Sequence, residues 1–158
     1  MGKTVILMRH GKAQDHGDAW DDFERTLIDR GRKETRITAE RILSSGIIPE
    51  VVVSSPASRT AGTARIVADV FDYPEHQILY HAPLYNGSAE EYLDLINSIQ
   101  SKNILIVGHN PEMQSMAYHF GKVARDGFPT ASAVAFSFDA EVIGLNSNAN
   151  ILFNSLVS

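Results

Sequence analysis

The 158-residue sequence contains no cysteine. That absence removes disulfides, thiolate zinc sites and cysteine nucleophiles together. No apolar run reaches the length of a membrane span. The amino terminus lacks the basic segment, long apolar stretch and small-residue cleavage site of a secretory signal. Positive charge is also scarce: 14 Lys and Arg stand against 19 Asp and Glu, a net charge of −5. A nucleic-acid partner therefore has no electrostatic basis, and an anionic substrate needs a local cluster of cations. No internal repeat, low-complexity tract or linker is visible. The expectation is a soluble, cytoplasmic, monomeric protein with one domain over residues 1–158 and no membrane partner.

What is present is a regular alternation of apolar runs. Thr4–Met8 is a continuous apolar stretch that ends abruptly in Arg9, His10 and Gly11, and it reads as a strand buried on both faces. Gly11 is expected to let the chain turn tightly beside a ligand. Gln14–Glu24 is polar and acidic, with Trp20 and Phe23 as its only large apolar residues. It is expected to fold over the strand end, pinned by those aromatics. A helix follows through Ile37, Ala39, Ile42 and Leu43, with Gly46 as its stop. Val51–Val53 is a second buried strand, and a helix starting at Ser55 or Pro56 is expected to run to Val70.

Ile78–Tyr80 is a short strand. Ser88 and Glu91 have capping-box spacing for a helix through Tyr92 and Ile96. Asn103–Val107 is a third buried strand, followed by Gly108, His109, Asn110 and a helix from Pro111 to Phe120. Ala133–Phe138 and Asn150–Phe153 form a terminal hairpin around Gly144–Asn148. The pattern predicts an α/β protein: a three-layer α/β/α sandwich with a mainly parallel central sheet and an antiparallel edge.

In such sheets ligands bind at the carboxyl ends of the strands. Arg9 and His10, Ser55 with Ser58 and Arg59, and His109 all follow strand ends, so two arginines and two histidines are expected to converge. Paired guanidiniums clamp a tetrahedral oxyanion through their fixed forks. A neutral histidine attacks phosphorus, and adjacent cations favour the neutral form. The second histidine donates to the transferring phosphoryl oxygens. These parts make a phosphoryl-transfer site with no metal and no cofactor.

Leu7-Met8-Arg9-His10-Gly11, Ser54-Ser55-Pro56-Ala57-Ser58-Arg59 and Val107-Gly108-His109-Asn110-Pro111 occur in register along the chain. Together they resemble the histidine phosphatase superfamily, also called phosphoglycerate mutase-like. The stretch Arg25-Thr26-Leu27-Ile28-Asp29-Arg30-Gly31 looks most like the SixA-type phosphohistidine phosphatases, which usually carry proline and threonine at the positions of Thr26 and Ile28. The resemblance implies that His10 is transiently phosphorylated and that Arg9, Arg59 and His109 line the phosphate pocket, with Ser55 and Ser58 as further candidate donors.

The sequence departs from the wider superfamily at the general acid. One branch has aspartate where this chain has Asn110. Another has glutamate in the loop that here reads Leu84-Tyr85-Asn86-Gly87-Ser88, with no carboxylate before Glu90. Asp18, Asp21, Asp22, Glu90 and Glu91 are the remaining candidates, each read as a solvated charge. An imidazole leaving group demands less of an acid, which favours phosphohistidine in a protein, such as a histidine-containing phosphotransfer domain. A small-molecule phosphomonoesterase and a non-catalytic binder of a phosphorylated partner are the alternatives. His16, His76, His81 and His119 have no ligand spacing and are read as surface or core residues. Trp20, Tyr85 and Tyr118 are read as core before pocket wall.

Overall fold

The computed structural model describes residues 2–17 and 21–156. Its centre is a six-stranded sheet in the order β3-β2-β4-β1-β5-β6. The strands are β1 (Lys3–Arg9), β2 (Val51–Ser54), β3 (Leu79–Tyr80), β4 (Asn103–Gly108), β5 (Ala133–Phe138) and β6 (Ala149–Asn154). The first four run parallel, and β5 and β6 form the antiparallel edge beside β1. Five α-helices accompany them among the described residues: α1 (Asp29–Ser44), α2 (Ser58–Val70), α3 (Pro83–Asn86), α4 (Ala89–Ser98) and α5 (Glu112–Gly121).

Successive strand side chains point to opposite faces, and this divides the core in two. Val5, Leu7, Ile104, Ile106, Phe136 and Phe138 pack under Tyr92 and Ile96 of α4 and Met113, Met116 and Phe120 of α5. Ile6, Met8, Leu105, Val107, Ala133 and Ala135 face Ala39 and Ile42 of α1 and Ala64, Val67 and Ala68 of α2. One face thus carries the large aromatics, with Phe120 edge-on to Phe138 at 4.8 Å between ring centroids. The other carries smaller residues, five of them alanine, where α1 and α2 pack. This is the α/β/α sandwich that the alternation predicts.

Close approach also explains Gly11, and differently from the expectation. It is absent from the residues with positive φ. A Cβ there would sit 2.5 Å from Thr35 Oγ1 and 2.7 Å from the Gly31 carbonyl. Gly11 is therefore required by the packing of α1 against the strand end, not by a tight turn. Gly46, with φ +88°, does end α1 as expected.

Two helix starts differ in detail from the sequence reading, and a third lacks a side-chain cap. The second helix begins at Ser58, because Ala57 keeps an extended ψ of 149° and its N–H donates to Ser55 Oγ at 3.3 Å. Ser88 does occupy the N-cap of α4 but makes no side-chain capping bond; its carbonyl accepts from Glu91 N at 3.0 Å instead. Ile28, at the N-cap of α1, has no side-chain acceptor to offer, which is the structural consequence of its departure from threonine.

Candidate active site

The strand order places the carboxyl ends of β2, β4 and β1 side by side. Arg9 is opposite Gly108 and Ser54 is opposite Val107 in the parallel ladders. The ladder continues past the strands: His10 N–H donates to the Gly108 carbonyl and Ser55 N–H to the Val107 carbonyl, both at 3.2 Å. Three segments distant in sequence are thereby fixed around one polar hollow of about 340 Å³, which Arg9, His10, Arg59 and His109 line together with Asp22 and Tyr85. His10, Arg59 and His109 are each no more than 7% exposed.

His10 Nδ1 lies 2.7 Å from the carbonyl of Gly11. A carbonyl only accepts, so Nδ1 carries the hydrogen and Nε2 keeps its lone pair. The His109 ring stands 5.5 Å from that of His10. Its Nε2 shares a hydrogen bond with Ser55 Oγ at 2.9 Å, and its backbone N–H donates to the buried Tyr92 hydroxyl at 3.2 Å. Burial lowers His10 to a pKa of about 3, helped by His109, Arg59 and Arg9 and opposed by the Gly11 carbonyl. Burial likewise lowers His109 to about 4, with Arg59 and Arg9 pushing the same way and Asp22 opposing. Both imidazoles are neutral at physiological pH.

The two guanidiniums are held by one edge each. Arg9 Nη1 donates to the Phe128 carbonyl at 3.0 Å. Arg59 donates from Nη1 to the Asp22 carbonyl at 2.8 Å and from Nη2 to Asp22 Oδ2 at 3.0 Å. The Nε of each arginine is buried without a partner among the described residues. Unpaired buried donors are costly. Burial and the nearby Arg59 also pull Arg9 below its usual pKa. A bound oxyanion relieves both penalties at once.

A polar rim surrounds this floor. Asp22 Oδ2 accepts from the Tyr85 hydroxyl at 2.7 Å, and Asp22 Oδ1 accepts from Arg25 Nη1 at 2.8 Å. Although burial opposes its charge, hydrogen bonds from Tyr85, Arg25 and Arg59 hold the Asp22 carboxyl well below the usual carboxylate range. Tyr85 sits edge-on to His109 at 5.7 Å and to Phe23 at 5.0 Å. His16 completes the rim with Nε2 at 3.3 Å from Arg25 Nη1.

The chain is similar to known proteins in sequence and in fold. A family model described as the histidine phosphatase superfamily (branch 1) matches residues 5–80. An uncharacterized protein of Picosynechococcus is 30% identical over 115 residues, covering 72% of this chain and 70% of the relative. A crystal structure assigned as the phosphohistidine phosphatase SixA of Agrobacterium tumefaciens superposes with a TM-score of 0.77 at 28% identity, covering 90% of this chain and 96% of that one. The chain belongs to the histidine phosphatase superfamily. Its activity class is accordingly that of a phosphatase. A mitochondrial serine/threonine-protein phosphatase, Pgam5 of Drosophila melanogaster, is 33% identical over 86 residues; the match spans 54% of this chain and only 29% of that protein.

Of the residues expected at the site of this histidine phosphatase, Arg9, His10, Arg59 and His109 come together. Ser55 lies against His109 rather than among the groups lining the hollow. Ser58 faces a separate groove between α1 and α2, with Arg32, Arg36 and Arg65. Asn110 also lines the hollow; its Nδ2 donates to the Phe128 carbonyl at 3.1 Å and its Oδ1 accepts from Gln114 N at 3.2 Å.

Among the described carboxylates, Asp22 alone lines the hollow. Asp21 caps the short turn over residues 22–24, Glu90 and Glu91 are exposed on α4, and Asp18 and Trp20 lie outside the described residues. The reading of Asp22 as a solvated charge and of Tyr85 as core is corrected by their contacts at the rim, while His16 is the surface residue expected, with its ring reaching Arg25. Arg25 had no assigned role, and its place is set by partners 3 and 11 residues away. Among the described residues no three His, Asp or Glu side chains are grouped to hold a metal ion. No described helix is long and apolar enough to cross a membrane.

Proposed function

We propose that this protein hydrolyses phosphohistidine on a partner protein, through a phosphorylated His10. The His10 Nε2 lone pair attacks phosphorus, forming a P–N bond as the bond to the substrate nitrogen breaks. Arg9 and Arg59 hold the phosphoryl oxygens through their unpartnered Nε–H groups. His109, with Nε2 engaged by Ser55, offers Nδ1 to a further oxygen as charge shifts onto the transferring group. The departing imidazole takes its proton from water. A second water then attacks phosphorus, its released proton neutralises the hydroxide left by the first, the bond to Nε2 breaks to restore neutral His10, and inorganic phosphate leaves.

The observation that carries the reading is the lack of a usable carboxylic acid among the groups described around the hollow. Asp22 is there, but three hydrogen bonds keep it ionised, so it has no proton to give. General acid assistance is worth about 10²- to 10⁴-fold, and an alkoxide leaving group needs it far more than an imidazole does. The modest size of the hollow, near the lower end of ligand pockets, suits a phosphoryl group presented by a larger partner, such as a histidine-containing phosphotransfer domain.

A substrate panel tests this with purified protein and no metal added. Phosphohistidine and an aryl phosphate, both with good leaving groups, are expected to turn over at least about 10²-fold faster than sugar phosphates. Sugar phosphates matching phosphohistidine in kcat/KM would overturn the choice of substrate in favour of a small-molecule phosphomonoesterase. No turnover of any compound would leave a binding module.

A further inference from the structure

Arg9 and Arg59 are both oriented by a bond to an Nη group that leaves Nε free. Arg9 takes its anchor from a backbone carbonyl, whereas Arg59 takes both of its anchors from one residue, Asp22. The carbonyl and carboxylate of Asp22 together occupy the end-on fork of the guanidinium, Nη1 and Nη2. The side-on edge, Nε with the second hydrogen of Nη2, is the part left for a ligand. Asp22 is itself fixed from two other sides, by Tyr85 and by Arg25, and Arg25 is tied by its Nε to the Gln14 carbonyl at 2.7 Å.

We propose that Asp22 is a positioning residue for phosphoryl transfer: it grips the outer fork of Arg59 so that the side-on edge meets the transferring phosphoryl group. The inference rests on the phosphatase reading above and assigns Asp22 a part in it that requires no proton transfer. Asp22 repels a bound anion by its charge, so its benefit lies in orientation during the chemical step and not in ground-state affinity. This separates it from a built-in competing anion, which would only occupy Arg59 until substrate displaced it.

The two roles differ in what they predict for kcat. In Asp22→Ala, kcat for phosphohistidine or an aryl phosphate is expected to fall about 100-fold, the scale of a misplaced catalytic group. Inorganic phosphate affinity, a ground-state measure, stays equal or rises, because a negative charge has left the rim. Asp22→Asn, which keeps the carbonyl anchor and one side-chain acceptor, is expected to lose less. Tyr85→Phe leaves Asp22 and Arg59 in place, loosens only their support, and is expected to lose severalfold in kcat. A wild-type kcat in folded Asp22→Ala, with tighter phosphate binding, identifies a competing anion and overturns the proposal. Should Asp22→Ala not fold, an unchanged kcat in Tyr85→Phe overturns it instead. Failure of the phosphatase reading is distinct, because it shows as an inactive wild type.

Discussion

The two halves of the hollow are built from the same side chains and anchored in different ways. On the β1 half, Arg9 and His10 are fixed by the backbone carbonyls of Phe128 and Gly11. On the other half, Arg59 and His109 lean on side chains, Asp22 and Ser55, with the Asp22 carbonyl as the one backbone contribution. A backbone anchor survives substitution of the residue that supplies it, so the nucleophile's half is difficult to detune. A side-chain anchor carries charge and can be replaced, so geometry and titration on the phosphate-binding half depend on residues outside the recognised motifs. Asp22 shows this directly: it opposes the lowering of His109's pKa and is not among the influences on His10.

Truncating the two arginines is the strongest challenge to this comparison. Arg9→Ala and Arg59→Ala are each expected to lose about 10²- to 10³-fold in kcat/KM, the cost of one oxyanion donor. A large loss at one and a small loss at the other would break the equivalence of the two forks.

Stability against pH comes next. Both histidines are neutral in the folded protein, and the unfolded chain titrates near 6.5. Above that pH neither group contributes. Below it the unfolded state binds protons that the folded state refuses, down to about 3 for His10 and about 4 for His109. Each histidine therefore removes up to about 1.4 kcal/mol per pH unit. Urea titrations between pH 7 and 4.5 measure the slope, and His10→Ala should flatten it.

Ser55→Ala acts on the side-chain half alone. It frees the His109 ring and takes an acceptor from Ala57 N–H, with an expected cost of about 1 kcal/mol in stability and a severalfold loss in kcat. The smallest effect is read by NMR of the ring protons. Asp22→Asn is expected to lower the pKa of His109 further while leaving that of His10 in place, and equal shifts would contradict the division between halves.

Much of the floor was legible because each functional residue ends its strand or follows it by one to five positions. A buried apolar run ending in Arg9-His10 or Gly108-His109 predicts both the strand and the rim position of its last residues. The layers were legible for the same reason, since unbroken runs such as Ile104–Val107 mark strands covered on both faces. The rim was not. Five acidic residues between Asp15 and Glu24 look alike in sequence, and what singles out Asp22 is Arg59, 37 positions away, and Tyr85, 63 away. Gly11 was misread because its constraint is the approach of α1 through Gly31 and Thr35, which local sequence does not display. The capping box at Ser88 failed at the level of the side chain while the helix boundary held, because the carbonyl of Ser88 takes the N–H of Glu91 that its hydroxyl was expected to take.

The central claim is that His10 Nε2 accepts the phosphoryl group. It is tested most directly by rapid acid-free denaturation after mixing the protein with radiolabelled phosphohistidine substrate. The account predicts one acid-labile, base-stable phosphate on the wild-type chain, mapped to His10 and absent from His10→Ala. Turnover without any such label, or equal labelling of His10→Ala, would contradict it.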